Sequence, residues 1–334
     1  MSLPSAAAYA KDAALATFAS RRLQVIARSG RSRRPLCLVY GNCQAEPIRA
    51  LLARSGPFTQ QYQTVAIPAV HEVGARGVRT LQRLARMAAL IVAQPIKAGY
   101  RGLPVGTQEM AALAPAGCRV VRFPALYYDA LYPFQVIVHV GSPRVERKAI
   151  SAPVTIYHDL RNLCAAAKGL RGENALRWIG EFRPPAGAIG IAATQATELI
   201  RRHDRCSDIS AFDVVVGRDS SPQPSFFTVN HSAHSVLRHI AEALHSLLGL
   251  TPPVDAGRDD TEPLGTFRTP REQPVIEALG LGCEPQPDWV IRGRRVRASE
   301  VARRQLAWYS ERPDLVRAAL HEHADRIALL GLDA

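Results

Sequence analysis

Two side chains with nucleophilic or acid–base character stand where apolar runs stop. In "VYGNCQAEPIRALL", residues 39–52, the run Leu36-Cys37-Leu38-Val39-Tyr40 ends at Gly41-Asn42, Cys43 follows, and a helical pattern begins. Gly41 and Asn42 supply the permissive backbone that a strand-to-helix turn needs. Pro47 falls in the first helical turn, where a missing N–H costs little. A thiol at a helix N-terminus is biased toward thiolate by the dipole and the free N–H groups. The same N–H groups can hold a developing oxyanion. The expectation is a reactive Cys43; the other reading is a turn cysteine with no chemistry.

The second side chain is His231. In "SFFTVNHSAHSVLRHIAEALHSLLGL", residues 225–250, a β-like run ends at Asn230-His231. A helix follows, with Val236, Leu237, Ile240, Leu244 and Leu247 on its apolar face. His231 precedes that helix on the loop side, whereas His239 and His245 lie within it as surface or packing residues. His231 and His234 are three apart, but no carboxylate or cysteine joins them at ligand spacing, so no metal site is expected. His321 and Asp325 form an H-x-x-x-D pattern inside a C-terminal helix and are read as coincidence.

Positioning these residues requires a sheet. Continuously apolar runs recur at 36–40, 89–93, 119–123, 135–140, 154–157 and 213–216, as in strands buried on both faces of a parallel sheet. Helical patterns lie between many of them. Ile48, Leu51 and Leu52 form one face, Val78, Leu81, Leu84 and Ala85 another, and residues 193–203 and 233–248 read as further helices. The alternation points to a doubly wound, mainly parallel α/β sheet sandwiched by helices. Ligands in such sheets bind beyond the carboxyl ends of the strands, where residues 41–44 and Gln94-Pro95 fall. Three regions are expected: an N-terminal helix (5–20) and basic linker over 1–34, an α/β domain over 35–250, and a linker with a helical appendage over 251–334, its helices at 298–309 and 313–331.

Composition narrows the classes. Hydrophobic residues make up 47% of the 334, enough for a substantial core. No apolar run is long enough to span a membrane. Lys and Arg outnumber Asp and Glu by 42 to 29, which favours anionic partners, with the densest basic run at Arg28 to Arg34. No helix-turn-helix, zinc-finger or RNP-type pattern accompanies that charge, so nucleic acid is not the expected partner. The 6 cysteines are irregularly spaced without C-x-x-C, which argues against a disulfide framework.

Four blocks, "VYGNCQAEPIRALL", "VAQPIKAGYRGL", "RFPALYYDALYP" and "DISAFD…FFTVNHSAHSVLRHIAEALHSLLG", together resemble the WcbI family of capsular-polysaccharide biosynthesis acetyltransferases, from about residue 36 to 250. The resemblance implies a cytoplasmic protein with an α/β fold related to the SGNH hydrolases and flavodoxin. It implies that coenzyme A binds and that acetyl-CoA acetylates a sugar hydroxyl on a saccharide, nucleotide-sugar or polysaccharide acceptor. By that analogy Cys43 matches the nucleophile and His231 the base. Two departures stand out: the nucleophile is Cys rather than Ser, and Thr228 stands where the SGNH pattern places an acid three residues before the histidine.

On that reading His231 takes the thiol proton, and Asn42, Gln44 and backbone N–H groups stabilise the oxyanion, with Gly41, Gln94 and Asn230 in support. Direct transfer, with Cys43 only lining the site, is the other route. Coenzyme A carries phosphates, so Lys97 and Arg101 are expected to meet it, then Arg201, Arg202 and Arg205; a solvated face is the alternative for all five. Tyr127, Tyr128 and Tyr132 would either stack on a sugar or adenine or serve as packing. A carbohydrate esterase and a non-catalytic binder of anionic ligands are the competing functions, and association into a homo-oligomer is left open.

Overall fold

The computed structural model describes residues 34–138, 154–217, 224–251 and 261–333. The expected helix at 5–20, the basic run ahead of Arg34, the end of the 135–140 run and residues 252–260 of the linker lie outside these residues.

The described residues form two compact units that alternate along the sequence: those within 34–126, 200–215 and 234–263 make the first, and those within 127–199, 216–233 and 264–333 the second.

The first unit is built on strand β1 (Leu36–Tyr40), every residue of which is buried. It is followed by helix α1 (Ala45–Arg54), helix α2 (Gly56–Gln61), strand β2 (Gln63–Thr64), a 3₁₀ turn at Val70–Glu72, helix α3 (Ala75–Ala85), strand β3 (Ala88–Ala93), helix α4 (Thr107–Leu113) and strand β4 (Arg119–Arg122). All pairings are parallel in the order β2-β1-β3-β4, with Leu38 opposite Ile91, Val39 opposite Val92 and Tyr40 opposite Ala93. This is the flavodoxin-like order, whose topological switch lies between β1 and β3. The expected helical face of α3 is realised: Val78, Leu81, Leu84 and Ala85 are buried, and each buried leucine contributes roughly 2 kcal/mol.

In the second unit, strand β5 (Gln135–Ile137) pairs antiparallel with strand β6 (Tyr157–Asp159). Helices α5 (Leu160–Ala167), α6 (Gly172–Glu181) and α7 (Ala188–Arg205) follow, the last running on into the first unit. Neither the 135–140 run nor the 154–157 run is therefore a parallel strand; β5 takes the start of the first, and β6 starts at the last residue of the second.

The 213–216 run is a short helix, α8 (Phe212–Val216), rather than a strand. Its β-branched residues are overridden by local capping: the Asp204 carboxylate accepts from the N–H groups of Ala211 (3.1 Å) and Phe212 (2.9 Å), which fixes a helical start. Helix α9 (His234–Leu247) then packs on α1 in the first unit.

The C-terminal region holds the expected helices and a small sheet the sequence did not announce. Strand β7 (Phe267–Arg268), helix α10 (Gln273–Leu279), strand β8 (Trp289–Ile291) and strand β9 (Arg294–Val296) precede helices α11 (Ala298–Ser310), α12 (Pro313–Glu322) and α13 (Ala324–Leu330). Strands β7, β8 and β9 pair antiparallel in that order. The C-terminal helices complete the core of the second unit, where Trp308, Tyr309, Leu315, Val316 and Leu330 join Phe134, Leu160 and Leu163. Truncation after residue 255 is accordingly expected to unfold the second unit; a truncated chain that keeps the full cooperative thermal transition would show that these helices are dispensable.

Candidate active site

Gly41, Asn42, Cys43 and Gln44 form the turn from β1 into α1, and Gln94 stands at the end of β3, directly across the switch point. The Gln94 side chain spans the gap. Its Oε1 accepts from the Asn42 N–H (2.8 Å) and its Nε2 donates to Gln44 Oε1 (2.9 Å). Gln44 continues the frame, accepting from the Leu126 N–H (3.1 Å) and donating to the Leu126 carbonyl. Asn42 Oδ1 accepts from the Gln44 N–H (2.9 Å), an Asx turn that shapes the corner. Gly41 is required by this arrangement, because a Cβ there would stand 2.7 Å from Gln94 Oε1. Of the four support residues read from sequence in the first unit, Asn42, Gln44 and Gln94 thus form one hydrogen-bonded frame and Gly41 leaves room for it. The Gln44 amide is buried and engaged within it, as are the Asn42 and Gln44 N–H groups.

The chain beyond β3 is braced in turn. Thr107 donates from its hydroxyl to the Gln94 carbonyl and accepts from the Ile96 N–H (3.0 Å). Gly106 fits because a Cβ would stand 2.7 Å from the Lys97 carbonyl oxygen. Lys97 and Arg101 are exposed just past this point. Arg101 adopts a left-handed backbone (φ 55°), a conformation costing roughly 1 kcal/mol for a side-chain-bearing residue, and its guanidinium donates to the His71 carbonyl (2.7 Å). Arg201, Arg202 and Arg205 lie near the end of α7, where the helix dipole by itself favours cations. Arg201 also stacks on Phe212 (4.5 Å). Among the described residues no cluster of three or more His, Cys, Asp or Glu has metal-binding geometry.

Cys43 departs from the expected thiolate. Burial pushes its thiol up to about 11; its own backbone N–H opposes this, and the negative charge of Glu72 adds to it. The 3₁₀ turn carrying Glu72 is tied to the same corner, since the Val70 N–H donates to the Gly41 carbonyl (2.7 Å). Desolvation therefore outweighs the helix N-terminus. Cys37, inside β1, is buried as expected, and its thiol is pushed far above the usual range. Glu72 was not singled out from the sequence, because no spacing rule links a residue 29 positions downstream to this turn. Exposed Cys206, rather than Cys43, is now expected to be alkylated first at neutral pH. Glu72→Gln should speed Cys43 alkylation at fixed pH by removing a like charge, as read by peptide mass spectrometry. An unchanged rate would remove Glu72 from the surroundings of the thiol.

Asn230 and His231 lie in the second unit, on a tight loop rather than at a strand end. The loop is closed by the Phe227 N–H donating to the His231 carbonyl (2.8 Å) and by an isolated bridge between Phe226 and Ser232. Thr228 caps it: its hydroxyl oxygen accepts from the His231 N–H (3.1 Å) and the Asn230 N–H (3.4 Å). The Thr228 hydroxyl also donates to Asn230 Oδ1 (3.3 Å), so Thr228 acts on the backbone and on Asn230 and does not replace the acid of the SGNH pattern. Burial pushes the His231 imidazole down to about 4, with the Leu264 carbonyl opposing. His231 is thus neutral near pH 7, not the imidazolium of an ion pair.

The tyrosines divide toward packing. Tyr128 and Tyr132 are buried, with the Tyr128 N–H donating to the Val229 carbonyl (2.8 Å) and the Tyr132 hydroxyl donating to the Phe226 carbonyl (2.6 Å). His245 is also a packing residue, fully buried with Nε2 2.7 Å from the Ser55 hydroxyl. His321 and Asp325 fall on successive helices and are exposed.

A parallel sheet in flavodoxin-like order, with a framed polar turn and a thiol at its switch point, defines an α/β protein of the class whose ligands bind beyond the strand ends. The chain belongs to the WcbI family of polysaccharide biosynthesis enzymes, whose match spans residues 36–253. Its fold is similar to the solved structure of WcbI, described as a novel polysaccharide biosynthesis enzyme in its native form without a disulfide bond between coenzyme A and one of its cysteines. The likeness has a TM-score of 0.72 and 18% identity, and covers 90% of this chain and 98% of that one. No curated protein matches the chain. Among the described residues no helix is long and apolar enough to cross a membrane.

Proposed function

We propose that this protein is a coenzyme A-dependent O-acetyltransferase acting on a sugar hydroxyl in the making of a capsular or other surface polysaccharide. The observation that carries the reading is the framed Gly41–Gln44 turn, which presents a thiol at the switch point of an enzyme family devoted to polysaccharide biosynthesis. The naming of coenzyme A with the solved WcbI structure supports the choice of acyl donor.

Exposed cationic side chains of Lys97, Arg101 and Arg202, just beyond β3 and at the end of α7, suit phosphate groups; Arg201 and Arg205 lie beside Arg202 on the same helix. Acetyl-CoA supplies the activated acetyl group. A base takes the Cys43 thiol proton as the sulfur attacks the thioester carbonyl; the bond to the coenzyme A sulfur breaks and coenzyme A leaves as its thiol with that proton, and the family resemblance gives His231, neutral at working pH, the role of base. The Asn42 side-chain amide and the Cys43 N–H stabilise the oxyanion. The base, neutral again, then accepts the proton of the sugar hydroxyl as its oxygen takes the acetyl group, and returns that proton to the departing Cys43 sulfur. A protonated resting thiol favours a second route, in which His231 activates the sugar directly and Cys43 lines the site.

The test is to incubate the protein with acetyl-CoA and candidate sugars, following free thiol, acetyl-sugar and enzyme mass. An acetyl group on the Cys43 peptide in the absence of sugar marks the two-step route. The neutral fraction of His231 falls as pH drops through about 4, so kcat/KM should be flat from pH 5 to 7 and decline only below that. A profile breaking near the ordinary histidine value would remove buried His231 as the base. Absence of both a thermal shift with coenzyme A and any transfer would leave the binder of anionic ligands.

A further inference from the structure

The loop carrying His231 is fixed by a residue with no place in the proposed chemistry. No carboxylate stands three residues before His231, and the Thr228 hydroxyl serves the Asn230 and His231 N–H groups and the Asn230 side chain (3.3 Å), not the imidazole. Among the described residues, His231 Nδ1 is enclosed and makes no hydrogen bond. Against the imidazole stands Tyr157, at the start of β6, with ring centroids 5.7 Å apart and planes at 81°. The Tyr157 hydroxyl donates to Asn230 Oδ1 (2.9 Å), so the same side chain grips both members of the Asn230-His231 pair. Tyr157 is itself immobilised. It is 1% exposed, its N–H donates to the Thr155 hydroxyl (3.2 Å), and its carbonyl accepts from Gln305 Nε2 (2.8 Å), whose Oε1 accepts from Asn162 (2.8 Å).

We propose that Tyr157 is the positioning residue of His231, its ring setting the imidazole plane edge-to-face and its hydroxyl locking Asn230 beside it. It does by packing what a carboxylate does by hydrogen bonding in a Ser-His-Asp triad. A neutral aromatic orients the ring without stabilising an imidazolium, in keeping with an imidazole held neutral by burial. The kinetic part of this inference rests on the reading of His231 as the base.

The experiment compares wild type with Tyr157→Phe, Tyr157→Leu and His231→Gln, the last also assigning the His231 ring signals in long-range proton–nitrogen NMR spectra. Tyr157→Phe should keep the ring-current shift of His231, broaden its signals as Asn230 loosens, and lower kcat about tenfold with KM for acetyl-CoA within about twofold. Tyr157→Leu should abolish the ring-current shift and lower kcat by about a hundredfold, so that phenylalanine rescues part of the loss. If the leucine variant fails to fold, the phenylalanine variant decides by signal width and the kcat-against-KM split. Unchanged His231 signals in the Tyr157 variants would overturn the proposal, whatever the activity. Full activity in His231→Gln would sink the base assignment instead, while the spectra still decide whether Tyr157 sets the ring.

Discussion

Cys43→Ala is expected to abolish acetyl transfer while moving the melting temperature by less than about 3 °C. The first half follows from the two-step route, in which the sulfur carries the acetyl group and alanine offers no nucleophile. The second follows from the architecture of the corner. The frame is made by Asn42, Gln44 and Gln94, and the Cys43 side chain is only partly enclosed, so its loss leaves those hydrogen bonds intact. Cys43→Ser is expected to retain at most a trace of activity, because a hydroxyl needs a stronger base than a neutral imidazole held in an apolar setting. Transfer assays beside thermal melts separate the outcomes. Full transfer by Cys43→Ala would leave the thiol as lining and establish the direct route.

The largest loss of stability is expected from the frame itself. Gln94→Leu would strand the Asn42 N–H and one acceptor site of Gln44, at a cost of about 2–4 kcal/mol. Gly41→Ala would drive a methyl group against the Gln94 amide, costing about 1–3 kcal/mol. The two effects share one contact, so they should not add: in a Gln94→Ala background, Gly41→Ala should cost markedly less than alone. Denaturant unfolding of the four chains measures the coupling. Strict additivity would show that Gly41 answers to some other neighbour.

The sequence exposed what local pattern encodes. The buried run of β1 and the apolar face of α3 each follow from side chains within a few residues of one another, and each is found as expected. Cys43, Gln44 and Gln94 were legible for the same reason, since strand ends in a parallel sheet are neighbours by construction. The Gly-Asn corner is present for another reason than its backbone freedom: neither residue has a positive φ, and Gly41 makes room for the Gln94 side chain. Local pattern failed where an interaction from outside the run decided the outcome. Asp204 turned the β-branched run 213–216 into a helix. The short strands β7, β8 and β9 are too brief for periodicity to emerge. The thiolate expectation failed on magnitude. The dipole of a helix end is a surface-scale effect, and burial beside Glu72 exceeds it. Tyr157 carries no sequence signal at all, because its grip on Asn230 bridges 73 positions.

The alternation of the two units along the chain has a consequence for biosynthesis. The first unit takes its last segment from residues 234–263, so its parallel sheet and the framed turn can settle while 264–334 is still unsynthesised. The second unit has no such opportunity. Phe134, Leu160 and Leu163 emerge early, but Trp308, Leu315, Val316 and Leu330, which bury them, are translated much later. Through that interval the nascent chain carries an apolar surface awaiting its cover, the condition under which chaperones are recruited and misassembly competes. The loop bearing His231 belongs to this late-closing unit and the turn bearing Cys43 to the early one, so the two acquire their settled surroundings at different moments of translation.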